Sequence, residues 1–199
     1  MERTLAQFSQ GKVEQPLRNV FSIGPDKAYC GVMPAALTNP AAVGTKMVTI
    51  FEHNHQHGLP SHLATVVLLN PETGALLAVL DGTYITEART AATSAMAAQH
   101  LAVPTDGHKL AILGSGAQAR SHLEAFVHAL SVQDVRVWSP TERHRRQFVN
   151  TISTSTDVPL AATSSAEEAI RGATLIVLAT SSTESVIEND WVANGAHVT

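Results

Sequence analysis

Cysteine is almost absent from this chain. Cys30 is the single thiol, so no disulfide forms within the chain, and a reducing, cytoplasmic setting suits it. Excess positive charge is absent too. The net charge is −4 with a pI near 6.2, and no basic face stands out, which argues against nucleic acid and anionic membranes as partners. Long apolar runs are missing. Runs such as Leu175–Ala179 have the length of a strand and fall far short of a bilayer span. The first residues, MERTLAQFSQGK, lack the apolar region of a signal peptide. Internal repeats and low-complexity segments are also lacking. What remains is 199 residues, 44% of them hydrophobic, enough to bury a sizeable core in one large domain or two small ones.

Residues 1–105 read as strands followed by one helix. LRNVFSI (Leu17–Ile23) and AYCGVM (Ala28–Met33) are strand candidates joined by the turn-forming GPDK (Gly24–Lys27). ALTNPAAVGT (Ala36–Thr45) reads as a loop, and KMVTIF (Lys46–Phe51), with its β-branched residues, as a further strand. ATVVLLN and ALLAVLD flank PETG (Pro71–Gly74) as a hairpin. TEARTAATSAMAAQHL (Thr86–Leu101) is rich in Ala and opens on Thr86, a candidate N-cap, so it predicts a helix. Its small side chains permit close approach of another backbone. PTDG (Pro104–Gly107) ends that helix and marks the expected domain boundary.

From Lys109 the elements alternate. KLAIL, VRVWS (Val135–Ser139), Val158–Ala162 and ATLIVLAT (Ala173–Thr180) read as strands. Ala117–Leu130, Thr141–Ile152 and Ala166–Arg171 read as helices between them, and GAHVT (Gly195–Thr199) starts a further strand. Such alternation predicts right-handed crossovers and a parallel sheet covered on both faces. The fold class is α/β: a Rossmann-type parallel-sheet domain over residues 106–199, preceded by a strand-rich α+β domain over residues 1–105.

GSGAQA matches G-x-G-x-x-G/A at Gly114, Gly116 and Ala119. Gly114 allows the tight turn, Gly116 lets backbone approach a pyrophosphate, and Ala119 lets helix pack on strand. The following helix offers free N–H groups to phosphates. The motif follows an apolar strand and opens a βαβ series, which predicts binding of a dinucleotide. The end of the second strand chooses its type. Trp138, Ser139, Pro140 and Thr141 stand where an NAD protein usually has Asp or Glu for the ribose 2′-hydroxyl, and Arg143, Arg145 and Arg146 follow. Hydroxyls and guanidinium groups suit a 2′-phosphate. The expectation is NADP(H), with NAD(H) as the alternative and a merely solvated arginine face as the structural reading.

Three cations lie in or beside elements of the first domain: Arg18 within an otherwise apolar strand, Lys46 at the start of KMVTIF, and Arg89 in the Ala-rich helix. Singly, each reads as a surface charge. Together they suit a carboxylate and a proton donor. His53, His55 and His57 alternate in EHNHQH, which on a strand would place them on one face. With no evident fourth ligand, the stretch reads as a solvated loop and no metal is expected.

QPLRNV, GVMPA, TKMVTIFE, LPSHLATVVLLNPETGALLAVLDGTYITEARTAATSAMAA, ILGSGAQARSH, VRVWSPT and WVANGAHV cover nearly the whole chain. In these stretches the chain resembles the ornithine cyclodeaminase/mu-crystallin family, and its PSH and LLAVLDG forms are most similar to the ketimine-reductase branch. The resemblance implies reduction of a cyclic imino acid with NAD(P)H. It implies that Arg18, Arg89 and His62 bind substrate and that Lys46 is catalytic. It further implies that Ser61, Arg89, Gly114, Ser115, Gly116, Ala117, Gln118, Ser139, Thr141, Ala179 and Thr180 meet the cofactor. Pro140 stands where the family has an arginine for the 2′-phosphate, and Arg143 is the candidate substitute.

The same resemblance implies a cytoplasmic homodimer, with residues 1–105 as substrate and dimerisation domain. Its relatives run past Thr199 into an acidic catalytic loop and a returning helix, so the chain is expected to be truncated. Ornithine cyclodeaminase or amino-acid dehydrogenase chemistry is the alternative within enzymes. A non-catalytic binding protein or an inactive fragment is the alternative outside them.

Overall fold

The computed structural model describes residues 1–24 and 28–199. The chain divides into two compact units, Met1–Thr86 and Glu87–Thr199.

The first unit is built on antiparallel strands. After helix α1 (Glu2–Ser9) come β1 (Val13–Glu14), β2 (Asn19–Ile23), β3 (Ala28–Thr38), β4 (Ala41–Ile50), β5 (His62–Leu69) and β6 (Leu76–Asp81). They form one sheet in the order β1-β3-β4-β5-β6, with β2 also paired to β3. The expected first hairpin is present, in register from Ile23 opposite Ala28 to Asn19 opposite Val32. Of its GPDK turn, Pro25, Asp26 and Lys27 lie outside the described residues.

The loop expected over Ala36–Thr45 is corrected. β3 and β4 stay paired from Tyr29 opposite Ile50 to Thr38 opposite Ala41, and the connection shrinks to Asn39–Pro40. Ala and Gly have little strand preference of their own, so pairing on both sides of β4 decides their conformation. At Gly44 a Cβ would fall 2.7 Å from the Val67 carbonyl oxygen of β5, which explains a glycine inside this strand. The second hairpin is as expected. Asn70 Oδ1 accepts from the N–H groups of Glu72 (2.8 Å) and Thr73 (3.0 Å) and so holds the PETG turn.

Helix α2 (Gly82–Leu101) begins four residues before the expected start. Asp81, not Thr86, caps it: Asp81 Oδ1 accepts from the Thr83 N–H at 2.8 Å. The division of the chain falls at Thr86, inside this helix, rather than at PTDG. The reason is packing, since Ala95 and Ala98 belong to the core of the second unit with Leu110, Leu123 and Phe126.

That unit contains β7 (His108–Leu113), α3 (Ala117–Ala129), β8 (Val132–Trp138), α4 (Glu142–Ile152), β9 (Leu160–Ala162), α5 (Ala166–Ile170), β10 (Leu175–Leu178) and β11 (His197–Val198). The strands pair in parallel in the order β11-β10-β7-β8-β9. Both faces are covered, as the unbroken apolar runs of β7 and β10 require. Leu110 and Ile112 point to the face shared with Leu123, Phe126 and Phe148. Ala111 and Leu113 point to the face shared with Ala169, Ile170 and Ile176. The chain winds one way from β7 to β9 and the other way through β10 and β11. The crevice at such a reversal is where open α/β sheets bind ligands.

Candidate dinucleotide-binding site

The turn after β7 is fixed by its neighbours. The Gly114 N–H donates to the Trp138 carbonyl at the end of β8, and the Ala179 N–H donates to the Leu113 carbonyl, both at 2.8 Å. Gly114 thus sits between the ends of β8 and β10. Its φ is +134°, and a Cβ there would lie 2.1 Å from the Ala179 carbonyl oxygen. Only glycine meets both conditions. Gly116 differs: a Cβ there would meet nothing within 4 Å. It is the N-cap residue of α3, and no side chain caps the helix. The first N–H groups of α3 therefore open onto space beside a bare backbone, where an anion is favoured. Ala119 is fully buried. The buried Oε1 of Gln118 has no hydrogen-bond partner among the described residues. Open donors, a glycine without neighbours and a spare buried acceptor fit the pyrophosphate end of a dinucleotide.

Beside this turn lies the end of β8. Ser115 Oγ donates to Ser139 Oγ at 3.1 Å, and Ser139 is buried. Arg145 Nη1 donates to the Ser139 carbonyl at 3.0 Å. Arg146 pairs with Glu142 at 2.7 Å. Arg143 is exposed on the first turn of α4, and Thr141 is the exposed N-cap residue of that helix. Arg145 is thus the arginine of the three that secures this strand end, and nothing in the sequence ranks it above Arg143 and Arg146. No carboxylate occupies the end of β8. A cleft of about 560 Å³ opens between α3 and α4, lined by Ser115, Gly116, Arg120, His144 and Gln147, with Glu87 also on its wall.

The residues expected on the substrate side lie apart from this turn in the chain. Arg18 is exposed and precedes β2, which starts at Asn19, so it does not interrupt a strand. Lys46 is half-buried in mid-β4, opposite Met33 and Val66. His62 opens β5 opposite Ile50, just after the exposed Ser61. Pairing puts Lys46 and His62 on one face of the sheet, about 13 Å apart at the strand rise of four residues. Arg89 is exposed on α2. Thr180 follows β10, and its Oγ1 accepts from the Ser182 N–H at 3.1 Å.

The stretch Glu52–His57, expected as a loop, is a 3-10 helix, with the His53 and His55 rings 6.4 Å apart. Among the described residues no group of three His, Cys, Asp or Glu is placed to hold a metal ion. No helix among them is long and apolar enough to cross a membrane.

The model of the ornithine cyclodeaminase/mu-crystallin family matches residues 1–199. The chain belongs to this family. It is 40% identical to the ketimine reductase mu-crystallin of Mus musculus, over 100% of this chain and 63% of that protein. Its structure is similar to that of the Delta(1)-pyrroline-2-carboxylate reductase of Thermococcus litoralis in complex with NADH and L-proline. There the TM-score is 0.93 at 31% identity, over 99% of this chain and 61% of that one. An archaeal alanine dehydrogenase dimer with bound NAD is also similar, with a TM-score of 0.90 at 30% identity, over 99% of this chain and 59% of that one. The chain spans less than two thirds of the length of these family members.

Two residues at this site carried no signal in the sequence. Ser94 and His122 look like ordinary helix residues, yet they meet at the first turn of α3. His122 Nε2 lies 3.2 Å from Ser94 Oγ, and His122 Nδ1 lies 2.7 Å from the Gln118 carbonyl oxygen. Burial pushes the His122 pKa below the ordinary histidine value, against the upward pull of that carbonyl.

Proposed function

We propose that this chain is part of an NAD(P)H-dependent reductase of cyclic imino acids, with NADPH preferred. The observation that carries the reading is the dinucleotide turn at the β7–β10 reversal, in a chain 40% identical to a ketimine reductase. NADP(H) supplies the reducing electron pair when bound. The protein's part is to hold and to orient. Gly114, Ser115, Gly116, Ala117 and Gln118 form the pyrophosphate turn, Ala179 and Thr180 border the cofactor groove, and Ser61 and Arg89 add cofactor contacts. The preference for NADPH rests on Ser139 and Thr141 standing where an acid would repel a 2′-phosphate, with Arg143 as its cation. Arg18, Arg89 and His62 bind the substrate and its carboxylate. Lys46 delivers the proton that the imine nitrogen needs as its carbon is reduced.

The first domain carries substrate binding and dimerisation, and the second carries the cofactor. Homodimer formation is supported by apolar side chains left exposed on one face of the antiparallel sheet, among them Phe21 (51% exposed) and Val79 (61%). A cytoplasmic location is supported by the lone thiol.

The test follows NADPH consumption by the full chain with a cyclic ketimine carboxylate, beside reduction of the oxidised cofactor with alanine and release of ammonia from ornithine. The reading expects turnover of the ketimine. Turnover of alanine or ornithine alone would replace it with a dehydrogenase or cyclodeaminase. A melting transition that NADPH raises, with no turnover on any of the three, would leave a binding protein.

A further inference from the structure

Helix α3 begins without a side-chain cap, and its first N–H groups are the donors that face the proposed pyrophosphate. Their usefulness depends on where that first turn is held. Tolerances for such a constellation are a fraction of an ångström.

A directed chain of hydrogen bonds ends on this turn. His122 Nδ1 lies against a carbonyl oxygen, that of Gln118, which can only accept. Nδ1 therefore carries the proton, and Nε2 of the neutral ring is an acceptor. Ser94 Oγ, 3.2 Å away on α2, must then donate to Nε2. Its oxygen in turn accepts from Thr199 Oγ1 at 3.0 Å. Thr199 is bonded through its backbone to Ile176 and Leu178 of β10. The chain thus runs from β10, through α2, to the first turn of α3. The ring is buried and stacked on Phe126 at 6.5 Å between centroids. Every polar atom in it has one partner and one sense of donation.

Resting on the dinucleotide reading above, we propose that Ser94 and His122 are positioning residues for the cofactor. They hold the first turn of α3 in register with β10, so that its donors meet the pyrophosphate without rearrangement. Neither touches the dinucleotide. Their loss therefore appears in cofactor affinity and leaves the chemical step alone.

The experiment measures NADPH affinity of the full chain by nicotinamide fluorescence, together with the melting temperature of each variant. Ser94→Ala removes the link, and Ser94→Thr restores a hydroxyl at the same place. His122→Phe keeps a flat buried ring without polar atoms. Ile170→Val, in the core on the opposite face of the sheet, is the control for stability loss by itself. The proposal expects Ser94→Ala and His122→Phe to weaken NADPH about tenfold, the scale of one buried hydrogen bond. It expects Ser94→Thr to bind as the wild type does, and Ile170→Val to melt lower with affinity unchanged. Wild-type affinity in folded Ser94→Ala overturns it, as does failure of Ser94→Thr to rescue. If His122→Phe does not fold, the Ser94 pair decides. A wild-type chain that binds neither NADPH nor NADH overturns the dinucleotide reading itself.

Discussion

A side chain at position 114 would strike the backbone of Ala179. The Cβ position on Gly114 lies 2.1 Å from the Ala179 carbonyl oxygen, while the Ala179 N–H is bonded one residue back, to Leu113. Gly114→Ala must therefore push β10 from β7 and adopt a strained φ as well. We expect it to cost about 2–4 kcal/mol in urea unfolding and to abolish NADPH binding. An unchanged unfolding midpoint would show that the two strand ends are not held as described.

Gly116 is the contrasting case. Its surroundings are open and its φ is −92°, so Gly116→Val should leave stability within about 1 kcal/mol. The added side chain occupies the space where a pyrophosphate would approach. NADPH affinity should fall by about tenfold or more on steric grounds. Titration of the dinucleotide beside urea unfolding separates the two effects, and equal losses in both would contradict the assignment.

In the proposed function, the preference for NADPH rests on the end of β8. Pro140 is exposed beside Thr141, and the family resemblance places an arginine there. Pro140→Arg should tighten NADPH relative to NADH by about tenfold through a charge-assisted contact. An unaltered ratio of the two dissociation constants would remove this strand end from the 2′-phosphate reading.

Lys46→Ala should lower turnover of a cyclic ketimine by about a hundredfold or more, the scale of general acid catalysis, with NADPH affinity intact. Full turnover in this variant would take Lys46 out of the mechanism.

Two buried histidines give the protein a pH dependence with a definite sign. His108 and His122 both titrate below the ordinary value of 6.5, chiefly because burial disfavours the charged ring. On unfolding they bind protons more readily. As the pH falls through 6.5, the unfolded state gains protons first, and stability declines until the folded-state values are passed. Melting between about pH 8 and about pH 5 should show a plateau followed by a fall on the acid side. A melting temperature that rises on acidification would mean that these rings are charged in the folded protein.

The parallel domain was largely legible in the sequence, because its strands are unbroken apolar runs and its first turn carries glycines with separate duties. The PETG hairpin was legible for a similar reason: turn chemistry and alternation agree there. Other features are set only in three dimensions. Ala36–Thr45 holds small residues without strand preference, and pairing with neighbouring strands extends it. The start of α2 was misplaced because Thr86 reads as an N-cap, whereas the cap in place is Asp81, which acts from the end of a strand. Among Arg143, Arg145 and Arg146 the sequence offers no ranking, whereas helical geometry selects Arg145 for the Ser139 carbonyl. Ser94 and His122 lie on different helices, so no spacing rule links them.

The reversal of strand order also bears on how the protein acquires its function. β7, α3 and β8 are consecutive and can associate early, because little chain separates them. The turn at Gly114 is complete only when Ala179, far along the chain, comes to rest against it. Contacts between distant segments form late, since a long loop must close first. During refolding, helical signal should therefore return before the capacity to bind a dinucleotide, which makes ligand binding a reporter of the last strand docking.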